Sequence, residues 1–381
     1  MNALYLMVAG LGAFTVGYLV YSRFISERIF QLNPEFRTPA HVQEDGVDFV
    51  PTNRWVLWGH HFTSVAGAAP IVGPAIAVIW GWLPAFLWIT LGTVFFAGIH
   101  DAGALWASVR NEGKSIGALT ESVVGKRARS LFMIIIFLLL LMVNAVFAII
   151  IARLFVQHPT SVIPAWFVIA VAITIGYLLY RRGVALLWPS IIGVTLLYAS
   201  MLVGNQIPLS LPESMFGLGP AGIWVVILFT YAAIASLLPV WLLLQPRDYI
   251  NGLQLFIGLG IFFLAVLLAR PEVVAPMINP SVPDDVPPIF PLLFVTIACG
   301  ACSGFHGLVS SGTTSKQVNN EQDVRFVGFL GTVGEGSLAL AAIIACTAGF
   351  ATLGDWQGYY TSFATNGIDA FVQGGGGILA S

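Results

Sequence analysis

The stretch RWVLWGHHFTSVAGAAPIVGPAIAVIWGW, residues 54–82, decides how the rest of the chain reads. It is apolar enough to cross a bilayer, yet two adjacent histidines sit near its start and its middle runs Gly67-Ala-Ala-Pro70-Ile-Val-Gly73-Pro74. Each proline removes a backbone donor, and glycine tolerates close approach and unusual dihedrals. A helix built only as an anchor has no use for two prolines, so an interruption is expected between about Gly67 and Pro74. Backbone groups freed at membrane depth survive only when buried in protein or lining a watery cavity. Transporters use such breaks to bind substrates and coupling ions near the midplane.

The composition supports a membrane setting. Of 381 residues 57% are hydrophobic and only 9% charged, with a mean hydropathy of +0.88; soluble domains carry about 25% charged residues. The net charge of −2 says nothing about nucleic acid, but no basic region is long enough to bind it, so no nucleic-acid partner is expected. Three cysteines, all in apolar stretches, imply no disulfide framework. The first apolar run lacks a basic start and a cleavage site, and reads as a retained helix.

A spanning helix needs roughly 20 apolar residues. By that measure ten spans are expected, near 2–21, 55–79, 82–107, 129–152, 161–180, 184–205, 222–244, 249–269, 288–312 and 324–350. The fold class is all-α and polytopic. Alternating the loops places 14 of the 16 Lys and Arg residues on one side and leaves Arg153 and Arg270 on the other. The positive-inside rule makes the first side cytoplasmic. Loops 22–54, 108–128, 181–183, 245–248 and 313–323 then lie inside, and the N-terminus outside. Loop 22–54, with Phe24, Ile25, Ile29 and Phe30 among charges, suits either the inner membrane surface or plain solvent.

A second interruption is expected in 222–244, around Ser236 to Pro239. Two interrupted helices five spans apart and oppositely directed are the pattern of an inverted five-plus-five repeat. On that numbering 1–21 is an extra helix, 55–205 the first repeat and 222–350 an incomplete second one, within a single transmembrane domain. A tenth core helix would follow residue 381.

Several side chains could carry chemistry. His60, His61 and Ser64 precede the first break, and His60 and Ser64 share a helix face. Intramembrane ionisable groups mark pathways by default, and histidine titrates near neutral pH; interfacial capping is the plainer alternative. His100 and Asp101 lie near one end of their span, Asp101 as a proton acceptor, a histidine's partner, or a snorkelling carboxylate. In TIACGACSGFHGLVSSGTTSKQ, residues 296–317, Cys299, Cys302, Ser303, His306 and Ser310 follow three- and four-residue steps. A metal reading of that stripe lacks an identifiable fourth ligand, and a polar stripe facing a substrate or ion path fits better. Ser310, Ser311, Thr313 and Thr314 offer hard oxygens suited to Na⁺ or to ordinary end-capping. Gly67, Pro70, Gly73 and Ser236 complete the candidate pathway.

The motifs DFVPTNRWVLWGHHFTSVAGAAPIVGPAIAVIWGWLPA, GTVFFAGIHDAGALWASVRNEGKSIG and CSGFHGLVSSGTTSKQ resemble the carbon starvation protein A (CstA) family over essentially the whole chain. The resemblance implies a bacterial or archaeal inner-membrane transporter linked to peptide uptake and, in some relatives, pyruvate uptake. It also implies kinship with the amino acid–polyamine–organocation transporters and their LeuT-like inverted repeat. Members of that family continue through further helices. The expected function is secondary active uptake of small carboxylate-bearing nutrients during carbon starvation. No nucleotide motif is present, so H⁺ or Na⁺ would drive it; no cofactor and no enzymatic activity are expected. The partners are a small-molecule substrate and the lipid bilayer, with the oligomeric state open. The rival readings are a membrane sensor of starvation without flux and an intramembrane enzyme using the Cys/His stripe.

Overall fold

The computed structural model describes all residues except Met215, Phe216, Cys302, Ser303, Asn366 and Ser381, and no side chains at 299–301 or 304. The described residues form helices and turns, with two isolated bridges and no strand. In chain order the helices are α1 (Ala3–Ile29), α2 (Arg54–Ala66), α3 (Ala69–Trp80), α4 (Trp82–Arg110), α5 (Ile116–Val123), α6 (Lys126–Gln157), α7 (Pro159–Arg182) and α8 (Leu187–Gln206). They continue with α9 (Pro220–Ala235), α10 (Leu244–Ala269), α11 (Ile289–Ala301), α12 (Gly304–Gly312), α13 (Arg325–Ala348), α14 (Leu353–Tyr359) and α15 (Gly367–Ala380). Among the described residues seven helices are long and apolar enough to span a membrane, or eight with the bent pair α2–α3 counted as one. The sequence count of ten is not confirmed by this measure: α9 and the apolar part of α11 (Ile289–Ala298) are apolar but shorter. This is a multi-pass membrane protein.

The opening stretch breaks, over a narrower interval than expected. The Asn53 side chain caps α2 by accepting from the Trp55 amide at 2.9 Å. The helix ends at Gly67, whose φ of +52° and ψ of −150° suit glycine alone. It resumes at Ala69 after a 45° bend. Pro70 stands in the first turn of α3, where a missing N–H costs no intrahelical bond. Pro74 lies inside α3 without ending it. Gly73 serves another purpose: a Cβ there would collide with the Thr296 carbonyl of α11, so it sets a close helix crossing.

The second expected interruption falls between two separate helices. Helix α9 ends at Ala235, turns occupy 236–243, and α10 starts a new helix at Leu244. Pro239 lies in these turns. There the Val240 amide donates to Val47 O and the Trp241 indole to Gly46 O at 3.1 Å. α9 packs on α6. Residues 245–248, expected as a loop, form the first turn of α10 with Gln245 and Asp248 buried. Ser22–Ile29, expected in loop 22–54, continues α1 through two π-helical turns. Within 108–128, Ile116–Val123 is helical.

The loops gather at two ends, as the alternation requires. At one end Gln245 Nε2 donates to Thr52 Oγ1 (3.0 Å) and to Gln317 Oε1 (2.6 Å), and Glu321 accepts from the Asn33 amide at 2.6 Å. At the other, the Ala3 amide donates to Pro271 O (2.9 Å), Trp82 to Pro276 O (3.2 Å) and Val274 to Thr347 O (2.9 Å). The centre is α13, the most enclosed span. It packs on α2 and α3, while α4 carries α11 and α12.

Candidate functional site

Four ionisable side chains from four helices meet where α2, α4, α12 and α13 cross. His61 Nε2 lies 2.8 Å from Asp101 Oδ2, and His61 Nδ1 lies 2.9 Å from Thr314 Oγ1. Ser310 Oγ donates to Asp101 Oδ1. His306 Nδ1 stands 3.6 Å from Asp101 Oδ2, and His306 Nε2 stands 2.6 Å from Glu335 Oε2. The exposures of His61, Asp101, His306 and Glu335 are 0%, 0%, 0% and 1%. The order is Thr314, His61, Asp101, His306, Glu335, with base and acid alternating from His61 onward and the longest step, 3.6 Å, between Asp101 and His306.

Local sequence allows this approach. Gly331 and Gly334 leave the α13 surface flat; a Cβ at Gly331 would come within 2.7 Å of His61 Cδ2, and one at Gly334 within 2.8 Å of Phe62 Cε2. A π-helical turn, Thr93–Ala97, precedes Asp101, and another, Arg325–Phe329, precedes Glu335. Such turns insert a residue and rotate the side chains of the next helical turn onto a new face. The His61 partners fix one tautomer by their chemistry: a neutral ring donating from Nε2 to the carboxylate must accept from the Thr314 hydroxyl at Nδ1.

A second cluster lies one helix face away. Asp248 Oδ2 accepts from Ser64 Oγ at 2.9 Å and lies 3.0 Å from His60 Nδ1. Asp248 Oδ1 takes Arg247 Nη2 at 2.7 Å, and Arg247 Nη1 donates to Tyr231 at 3.0 Å. Here His60 ties the first half of the broken helix to α10.

The structure therefore brings His61, Asp101, His306, Ser310 and Thr314 together, and puts His60 and Ser64 in the neighbouring cluster. Ser311 bonds Gly307 O at 2.6 Å and accepts the Ile116 amide at 3.0 Å, anchoring α5. Thr313 offers its carbonyl to Gln317 Nε2 at 3.3 Å. Ser236 is exposed and bonds its own helix, with Oγ donating to Ala233 O at 2.8 Å, away from the site. Ser303 and Cys302 lie outside the described residues. Glu335, Asp248 and Arg247 join without having been singled out. Glu335 carried a signal: it is the sole acidic residue of the apolar run 325–348. No group of three or more His, Cys, Asp or Glu side chains suited to a metal ion occurs among the described residues.

The sequence profile described as "Carbon starvation protein CstA" matches residues 2–354. The chain belongs to this family. It is 37% identical over 352 residues to the "Peptide transporter CstA" of Campylobacter jejuni, covering 90% of this chain and 50% of that protein. Its identity to the "Peptide transporter CstA" of Helicobacter pylori J99 is 36% over 348 residues, 90% of this chain and 51% of the relative. The "Pyruvate/proton symporter BtsT" of Escherichia coli K12 is likewise 36% identical over 357 residues, 91% and 49%. This CstA-family chain thus spans about half the length of the curated relatives it matches. No solved structure matches it.

Proposed function

We propose that this chain carries the proton-handling core of a symporter for small carboxylate-bearing nutrients, pyruvate or short peptides, in the cell membrane. The observation that carries this reading is the closed chain His61–Asp101–His306–Glu335, buried between four helices. Two imidazoles and two carboxyls are neutral as a set when they hold two exchangeable protons beyond the neutral-ring, ionised-acid state. Losing one leaves a net buried charge, which costs several kcal/mol unless water or a counter-charge reaches it. Proton release is thereby tied to opening of the site, which is what symport requires. The names of the relatives, a peptide transporter and a pyruvate/proton symporter, agree with this class.

The break at Gly67 supports an inverted architecture, though one that relates α2 to α4 with α11 to α13 rather than 55–79 with 222–244 as the five-plus-five numbering has it. They start at opposite ends of the bundle and pack reciprocally, α13 on α2 and α3, α4 on α11 and α12, with α3 crossing α11. The end bearing most Lys and Arg is the cytoplasmic one. Uptake during carbon starvation is the physiological role in this reading.

The test is uptake of radiolabelled pyruvate and of a dipeptide into proteoliposomes under an imposed pH gradient. Accumulation is expected with an acidic outside, and Asp101→Asn should abolish it while leaving substrate counterflow. Accumulation that tracks a Na⁺ gradient and ignores pH would overturn proton coupling.

A further inference from the structure

On the side of the break away from the proton cluster, α3, the last turns of α6 and residues 364–365 and 367–368 border an open cavity of about 450 Å³. Its walls include Val72 and Ile76 of α3, Ile150, Arg153 and Gln157 of α6, and Thr365. Arg153 is one of only two basic residues that the alternation of loops leaves on this side of the membrane. Among the described residues its guanidinium makes no hydrogen bond or ion pair. Asp369, next in sequence to the cavity-lining Ile368, lies 3.6 Å, Oδ1 to Nε2, from His158. Arg153 is exposed in the last turns of α6, which end at Gln157, so its guanidinium can meet an anion that enters the cavity. Its planar fork of donors matches a carboxylate bidentately, which a lysine cannot reproduce.

The cavity wall also leads to the proton cluster. Arg153, Ile150 and Phe147 are spaced three apart, so each adjoins the next along the surface of α6. Phe147 lies about 9 Å below Arg153 along the axis. Its ring covers the break: a Cβ at Gly67 would stand 3.1 Å from Phe147 Cζ. About 9 Å further along α2 lies His61.

We propose that Arg153 is the first receptor for the substrate's carboxylate, an entrance subsite separated from the proton cluster by the Phe147 ring over Gly67. This rests on the reading of the protein as a carrier of carboxylates and assigns that carrier its outer subsite. The substrate anion pairs with Arg153 in the cavity, and movement of α3 relative to α6 at the Gly67 hinge lets it pass Phe147.

The experiment uses the full chain in proteoliposomes, with an Ile150→Cys variant modified from outside by a membrane-impermeant cationic methanethiosulfonate. The parent protein, labelled in parallel, reports any reaction of the native cysteines. Pyruvate should slow modification at position 150 several-fold, and methyl pyruvate, which lacks the carboxylate, should not. Adding Arg153→Gln should remove the protection and, in uptake, raise KM about tenfold or more with maximal proton-driven accumulation largely kept. Arg153→Lys should restore only part of the affinity, which separates lost recognition from lost folding. Protection by pyruvate that survives Arg153→Gln, or an unchanged KM in a protein that still transports, overturns the subsite. If the parent shows no uptake but pyruvate protects position 150 in an Arg153-dependent way, the subsite stands and the transport reading falls.

Discussion

His306 Nε2 stands 2.6 Å from Glu335 Oε2, with both side chains shut away from the surface at 0% and 1% exposure. Among the described residues neither Glu335 Oε1 nor either ring nitrogen of His306 meets hydrogen-bond geometry, so the pair is a close ionic contact. Removing either partner leaves the other buried and uncompensated, at a cost of about 3–5 kcal/mol. His306→Gln and Glu335→Gln should each lower stability in detergent, and the double variant should lose less than the sum. Chemical denaturation of the four proteins measures this; strict additivity would show that the two groups do not interact.

Gly67→Ala should be harmful although the added group is a single methyl. The backbone there, φ +52° and ψ −150°, is one that L side chains avoid, and the methyl would press on the Phe147 ring. The expected loss is about 1–3 kcal/mol. Uptake should fall more than in Gly103→Ala, where the added methyl meets only Phe30 at 3.5 Å. Equal melting temperatures and equal uptake for the two variants would deny Gly67 a hinge role.

Arg110 and Glu321 fasten the end of α4 to the loop after α12. Arg110 Nη2 donates to Glu321 Oε2 at 2.8 Å, and Arg110 Nε also pairs with this carboxylate, which is 0% exposed. Arg110→Ala should cost roughly 1.5–3 kcal/mol, the range for hydrogen bonds to a charged group. Glu321→Gln should cost less, since the amide oxygen can still accept from the Asn33 amide. Thermal melts in detergent rank the two, and the reverse order would refute this assignment.

Asp285 ties the 270–288 loop to residues 362–363. Its Oδ2 accepts from Ser362 Oγ at 2.6 Å and from the Phe363 amide at 3.0 Å. The Ser362 hydroxyl, followed by the Phe363 amide, holds this carboxyl below its ordinary value. A depressed aspartate stabilises the fold above its unfolded pKa, near 4, and the contribution disappears as pH falls through the lower folded value. Protection of the Phe363 amide from hydrogen exchange, relative to its intrinsic rate, should hold at pH 6 and fall away below about pH 4. Asp285→Asn should flatten that dependence.

Much of the candidate site is legible one residue at a time. His61, Asp101 and His306 stand out because each is ionisable within an apolar run, and Gly67 with Pro70 marks the break. The same rule reaches Glu335, alone in 325–348, yet nothing near it in the chain points to His306. Asp248 is hidden for a different reason. Gln245, Pro246, Arg247 and Asp248 are polar or helix-breaking neighbours and read as a loop, whereas Thr52 and Gln317 close over Gln245, and His60 and Ser64 over Asp248. Ser236 misleads in the opposite direction, because Pro239 announces a break without saying at what depth it falls.

By itself the sequence determined an all-helical membrane protein, the side on which its basic residues gather, and the interruption after Ala66. These come from hydropathy, charge and backbone chemistry, which act over a turn or a span. Only the tertiary structure decided that His61 meets Asp101, that His306 meets Glu335, and that Arg153 faces a cavity. Those pairings depend on which helix faces come into contact, and the approach of α2 to α13 depends on glycines 331 and 334, whose role exists only once His61 and Phe62 lie against them.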